Sequence, residues 1–200
     1  EANLSALAEK TFVENHKNLI HVSIHAGVGA GIILDHHLYT GLAGTAGEAG
    51  HMIVQPGGRS CPCGNHGCLE QYISEPAVLS RYRELSGRTT VSIDDLVWAY
   101  NQKETAALAV TDEFTTYLAC GINNLWNLFS PECIILNCQL TAYLPQLLPE
   151  ILQKLSPRFR ATCHLKLSTL QDTGVLLGAA KVCISKYLGT EKLYFPGFQP

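Results

Sequence analysis

Charged side chains are scarce in this 200-residue chain and the basic ones are nowhere gathered: 14 Lys and Arg stand against 17 Asp and Glu, a net charge of −3. Without a run or face of Lys and Arg there is no electrostatic footprint for a phosphate backbone, so this stretch alone is not expected to grip DNA. No apolar run approaches the roughly 20 residues that span a bilayer. The N-terminus lacks the basic-then-apolar pattern of a signal peptide, and membrane insertion is not expected. Internal repeats and low-complexity linkers are missing too. What is present is 46% apolar residues, enough for one well-buried domain of the ordinary soluble class. The opening Glu1-Ala2-Asn3-Leu4-Ser5-Ala6-Leu7-Ala8-Glu9 looks helical but has no initiator Met and no capped start, so the chain reads as a piece of something larger.

The eight cysteines divide unevenly. Cys61, Cys63 and Cys68 crowd into Cys-Pro-Cys-Gly-Asn-His-Gly-Cys, whereas Cys120, Cys133, Cys138, Cys163 and Cys183 are scattered in apolar segments. That is the usage of a metal site plus buried free thiols, which fits a reducing, cytoplasmic setting. With His51 the set reads His-x9-Cys-x-Cys-x4-Cys. Three thiolates and an imidazole suit tetrahedral zinc, and four protein ligands leave no open position, so the metal would be structural. Two alternatives stay open: a reduced thiol loop without metal, or His66 as ligand in place of His51. The remaining histidines, His16, His21, His25, His36, His37 and His164, read as surface or sheet residues.

Glu48 and Glu70 flank the ligand set, and folding the loop around a metal would bring them toward one wall. Beside His51 they suit a polyhydroxylated ligand; Glu48 taken alone would be a solvated loop carboxylate. Glycines in Gly47-Glu48-Ala49-Gly50-His51 let a ligand approach the backbone closely. If one ring nitrogen of His51 holds the metal, the other can donate a hydrogen bond. Gly27-Val28-Gly29-Ala30-Gly31 could cradle a phosphate through backbone amides, or could simply turn the chain.

Period-two patterning over 20–39 predicts a meander of strands around that Gly-rich turn and a polar turn at Asp35-His36-His37. Met52 to Val54 is expected to add a short strand. Helices are expected over 75–86, from an N-cap at Ser92, over 104–129, over 143–155 with Pro145 near its start, and over 174–188. Cys133 to Leu136 and His164 to Ser168 read as strands. Strands first and then alternation with helices predicts an α/β domain with a mixed sheet and flanking helices.

Residues 41–74, the Cys-x-Cys-Gly-x-x-Gly-Cys loop within them, and Gly174-Val-Leu-Leu-Gly-Ala-Ala180 together resemble the ROK family (repressor, open reading frame, kinase), and the likeness runs over nearly the whole chain. The resemblance implies an actin-like ATPase (ribonuclease-H-like) fold of two lobes, with residues 1–188 as the C-terminal lobe of a sugar-sensing domain and 189–200 as a tail. It implies sugar contacts at Glu48, His51 and Glu70, and zinc on His51, Cys61, Cys63 and Cys68. Family kinases carry a catalytic Asp where this chain has Glu1, a Gly-Thr-Gly phosphate loop where it has Gly27-Val28-Gly29, and paired glycines where it has Asn137-Cys138. A Glu in place of the Asp would displace the carboxylate by roughly an ångström or more, enough to spoil attack geometry. These departures fall on the nucleotide side, leaving Gly27, Gly29 and Gly31 as a remnant of a phosphate loop, while the sugar contacts are retained. The resemblance therefore implies the sugar-binding lobe of a transcriptional regulator of the xylose, glucose or N-acetylglucosamine repressor type. Glu1 would close the site from the lobe junction, and the effector would be a sugar or sugar phosphate. Operator DNA would be bound through an N-terminal helix-turn-helix domain outside this stretch, and a homodimer is the implied assembly. The alternative is an ATP-dependent sugar kinase. A third reading gives the regulator a protein partner such as a sugar-transporter component.

Overall fold

A computed structural model of the chain describes residues 1–13, 15–190 and 193. Helix α1 (Ala2–Ala8) runs on as a π-helical turn, Glu9–Val13. Three strands follow: β1 (Leu19–Ile24), β2 (Val28–Leu34) and β3 (His37–Tyr39). An irregular stretch with two 3-10 turns, Leu42–Gly44 and Ala49–His51, leads through the cysteine loop to α2 (Glu70–Ile73) and α3 (Glu75–Ser86). Helices α4 (Ile93–Asn101) and α5 (Thr105–Phe129) precede β4 (Cys133–Cys138). After α6 (Gln139–Tyr143), α7 (Leu147–Lys154) and α8 (Pro157–Thr162) come β5 (His164–Leu167) and α9 (Thr173–Leu188). The sheet order is β3-β2-β1-β4-β5, with β1 antiparallel to β2 and parallel to β4. The mixed α/β class expected from the sequence is what the chain adopts.

Every residue of β1 and β4 is buried because both strands are central and covered on both faces. One face, with Ile20, Val22, Ile134 and Leu136, joins Phe114, Leu118 and Ile122 of α5 in the main core. The other, with Leu19, Ile33, Cys133 and Ile135, makes a smaller core under Ala6 of α1. Helix α1 lies close against β2 and α9. A Cβ on Gly31 would fall 2.2 Å from the Ala2 carbonyl oxygen, and one on Gly178 would fall 2.0 Å from that of Leu4. Those glycines are the grooves in which the helix backbone lies.

The Gly-rich turn is shorter than the sequence suggested. Only residues 25–27 bend, and Gly29 and Gly31 are already in β2. Met52 to Val54 is no strand: Leu69 donates to the Met52 carbonyl (2.8 Å), Val54 donates to Gly67 (2.9 Å), and a single bridge joins Ile53 to Cys68. The helix expected over 143–155 is two helices. The Pro145 ring bars Leu144 from helical geometry, and Leu144 sits at φ −121°, ψ 68° between α6 and α7. Helix α8 was not anticipated, although Ser156-Pro157 announces it: Ser156 Oγ accepts from the Phe159 amide at 3.1 Å, with Pro in the first turn. Of the proposed tail, residues 191, 192 and 194–200 lie outside the described residues. No helix among the described residues is long and apolar enough to cross a membrane.

Candidate ligand cleft and metal centre

The parallel pair β1 and β4 ends at a cleft of about 760 Å³, the position where open α/β sheets bind ligands. Its size is that of a small-molecule site. Glu1 and Asn3 enter from α1, Ser23 and His25 from the end of β1, Gly27 and Gly29 from the β1–β2 turn and β2, and Glu48 and Glu70 from either side of the cysteine loop. Asn137 of β4 and Asp172, the N-cap of α9, complete the far wall. Residues remote in sequence, Glu1, Glu48 and Glu70, therefore share one cavity.

Glu70 opens α2, and its Oε2 accepts the Val28 amide at 3.0 Å. Gly27 eases that approach, since a Cβ there would crowd the same oxygen at 3.2 Å. Glu48 is exposed at the start of the Ala49–His51 turn. The preceding residue ties this loop to the sheet: the Ala30 amide donates to the Gly47 oxygen at 2.7 Å. Gly47 sits at φ +92°, a left-handed conformation that a side chain would strain. Two candidates are placed elsewhere. Gly31 is buried beneath α1 and does not line the cleft, and neither does His51. Of the pair Asn137-Cys138, Asn137 faces the cleft, whereas Cys138 belongs to the main core. No motif or spacing singles out Ser23, His25 or Asp172 before the fold is known. Ser23 was findable only once β1 was known to run parallel to β4, which puts its C-terminal end at the mouth of the site.

His51, Cys61, Cys63 and Cys68 each bring one ligand atom into a group whose members all lie within 4.8 Å of one another. His51 Nδ1 is 3.7 Å from Cys61 Sγ, and Cys63 Sγ is 3.7 Å from Cys68 Sγ. A tetrahedron built on Zn–S and Zn–N bonds of about 2.3 and 2.0 Å has edges of roughly 3.5–3.8 Å, and both of these donor pairs stand at that spacing, as a tetrahedral metal would require. A disulfide would need the sulfurs at about 2.05 Å. His66 is exposed and outside the group. Burial, then the neighbouring Cys61 and Cys63 thiols, pushes Cys68 up to about 12; a bound cation would supply the charge that lets these thiols ionise together.

Local hydrogen bonds shape the loop around that group. Cys61 N–H donates to Asn65 O at 2.9 Å and Gly64 N–H to Cys61 O at 3.0 Å, while Gln71 Nε2 reaches Cys61 Sγ at 3.7 Å. Arg59 fastens the loop to the helices: its guanidinium pairs with Glu113 of α5, donates to Gln71 O at 2.8 Å, and lies 4.5 Å over the Tyr72 ring. Arg81 of α3 holds the other Glu113 oxygen at 3.1 Å.

The chain is similar to proteins of two kinds. The xylose repressor of Bacillus spizizenii is 34% identical over 199 residues, 96% of this chain and 51% of that protein. The glucokinase of Halalkalibacterium halodurans is 30% identical, over 89% of this chain and 60% of that one. Among solved structures, a ROK family transcriptional regulator described as a homologue of the E. coli MLC protein superposes with a TM-score of 0.76 at 31% identity, covering 90% of this chain and 49% of its own. The chain thus spans about half the length of the curated xylose repressors it matches. The fold shared with solved ROK proteins is the actin-like ATPase fold anticipated from the sequence. The ROK family model matches residues 1–186, and with the likeness to xylose repressors over nearly the whole chain, the chain belongs to that family.

Proposed function

We propose that this chain is the effector-binding lobe of a sugar-responsive transcriptional regulator. The observation that carries the reading is the cleft, which brings Glu1, Glu48 and Glu70 to one cavity beside the His/Cys group. Likeness to xylose repressors and to a ROK regulator structure supports a regulator rather than an enzyme. In this reading Glu48 and Glu70 accept hydrogen bonds from sugar hydroxyls. His51, with Nδ1 turned to the thiols, serves the sugar indirectly, by holding the loop that ends in Glu70. The metal is zinc on His51, Cys61, Cys63 and Cys68, a structural ion whose chemistry is to cross-link the loop. Glu1 closes the cleft from α1. A sugar that favours one arrangement of the whole protein shifts its population and so alters operator binding. DNA contact belongs to a helix-turn-helix domain outside this stretch, and the working assembly is a homodimer.

The test is calorimetric titration of the full-length protein with a panel of sugars and sugar phosphates. Glu48→Gln and Glu70→Gln keep side-chain size but replace a charged acceptor, which contributes roughly 1.5–3 kcal/mol. Each is expected to weaken binding about tenfold or more, with metal content unchanged. Unaltered affinity in both variants would put the pocket elsewhere. The second reading, an ATP-dependent sugar kinase, draws on the glucokinase likeness; sugar-dependent ATP turnover near 1 per second, an ordinary enzyme rate, would establish it.

A further inference from the structure

Glu70 belongs to a helix too short to aim it. Helix α2 is four residues long and has no side-chain cap at its start, and helices of fewer than about 12 residues are marginal on their own in water. Its orientation is therefore set from outside. The Leu69 amide, at the N-cap, donates to Met52 O at 2.8 Å, and the Tyr72 ring stacks on Tyr117 of α5 with centroids 4.0 Å apart. A further hold is Gln71, and it leads to the cysteines.

Gln71 is half-buried. Its amide donates to Cys68 O at 3.0 Å, its carbonyl accepts from Arg59 at 2.8 Å, and its side-chain Nε2 donates to Cys61 Sγ at 3.7 Å. Consecutive residues of a helix project about 100° apart, so a single turn can serve two sites. Here Glu70 lines the cleft and holds the Val28 amide, while Gln71 reaches the ligand group. With a metal on that group Cys61 is a thiolate, and an N–H aimed at a thiolate makes a charge-assisted hydrogen bond, stronger than one between neutral partners. Side chains that contact a metal's ligands in this way fix the orientation of those ligands and tune the affinity of the site.

We propose that Gln71 is a positioning residue that couples the His/Cys group to Glu70, so that metal and sugar each tighten the other's binding. Resting on the sugar-sensing reading above, this coupling gives the same cleft a second input, metal occupancy. Such coupling is reciprocal: whatever the metal adds to sugar affinity, the sugar returns to metal affinity.

The experiment uses full-length protein loaded with Zn2+, or with Co2+ as a coloured reporter of its thiolate bonds, and whichever of xylose, glucose and N-acetylglucosamine binds most tightly. In the wild type, saturating sugar should slow zinc transfer to a chelating dye about fivefold or more, the lower end of ordinary coupling between sites. It should also shift the cobalt–thiolate absorption band. Gln71→Met keeps the length of the side chain but carries no N–H. That variant should bind the sugar about threefold to tenfold more weakly, lose most of the sugar's protection of the metal, and show no band shift. Gln71→Lys, which restores a donor on a chain of similar reach, should recover part of each effect, whereas a role in packing alone would favour the Met variant. A cobalt band unmoved by sugar in the wild type, or wild-type sugar affinity and metal protection in Gln71→Met, overturns the inference. If Glu48→Gln and Glu70→Gln still weaken sugar binding in that case, the sensing reading stands without it. Binding of no sugar, or binding indifferent to Glu48 and Glu70, takes both down.

Discussion

His21 points from the middle of β1 into the sheet face beneath α1, fully buried, with no hydrogen-bond partner on either ring nitrogen among the described residues. Burial, with a smaller contribution from His25, lowers its pKa from 6.5 to about 4. The folded protein therefore holds it neutral, while the unfolded chain protonates it near 6.5. Its contribution to stability is fully present above that value and is lost as pH falls toward about 4, a loss on the order of 3 kcal/mol. Urea unfolding at pH 7, 5.5 and 4.5 should show the decline, and His21→Leu should flatten it; parallel slopes would sink the assignment. A second prediction concerns Cys63. Elemental analysis should give one zinc per chain, and Cys63→Ser should lower both zinc content and melting temperature. Metal-replete protein well below one zinc would refute this. These two residues differ in how they can be read from sequence. Ligand spacing announces Cys63 without any fold, because the donors lie within one loop. His21 looks like any sheet histidine until the layer that covers it is known.

Among the elements, the cysteine loop is fastened by the Arg59–Glu113–Arg81 chain that joins it to α5 and α3. Arg59 and Glu113 are 35% and 24% exposed, so solvent screening trims the interaction, and Arg59→Ala should cost about 1 kcal/mol of global stability. Its larger effect should be local: zinc should pass faster to a chelating dye, and Arg59→Lys, which lacks the planar fork, should rescue only in part. Equal release rates in wild type and Arg59→Ala would leave the clamp without a role. Most elements were legible because each carried its own signal: the long apolar period of α5, and the Ser92 and Asp95 capping box of α4. Misreadings arose where a non-local or stereochemical rule prevailed. Pro145 split one expected helix by constraining Leu144, and Met52 to Val54 found hydrogen-bond partners in the cysteine loop instead of a sheet edge.

At the scale of the molecule, the cleft draws on α1, the ends of β1 and β4, the loop around Glu48, α2 and the start of α9. A sugar bound there should slow amide exchange in residues 2–8, 46–51 and 172–176, and leave α4 and α7, which do not line it, unchanged. Exchange mass spectrometry with and without the effector tests this, and protection confined to α4 or α7 would place binding elsewhere. The carboxylates at 48 and 70 were legible from their shared loop. The wall formed by Ser23, Asn137 and Asp172 was not, because only the parallel pairing of β1 with β4 and the return of the chain into α9 bring those three together.

The two faces of the sheet also imply two different mutational histories. On the α5 side, large aliphatic and aromatic side chains interlock, so an exchange of similar volume there can be absorbed by its neighbours. Helix α1 instead rests its backbone against Gly31 and Gly178, where even one methyl group would meet a carbonyl oxygen within 2.2 Å. A saturation library should therefore return several acceptable residues at Leu118 or Ile134 and glycine alone at 31 and 178. The smaller core would then drift less than the larger one, because its partner is main chain, which no substitution can trim.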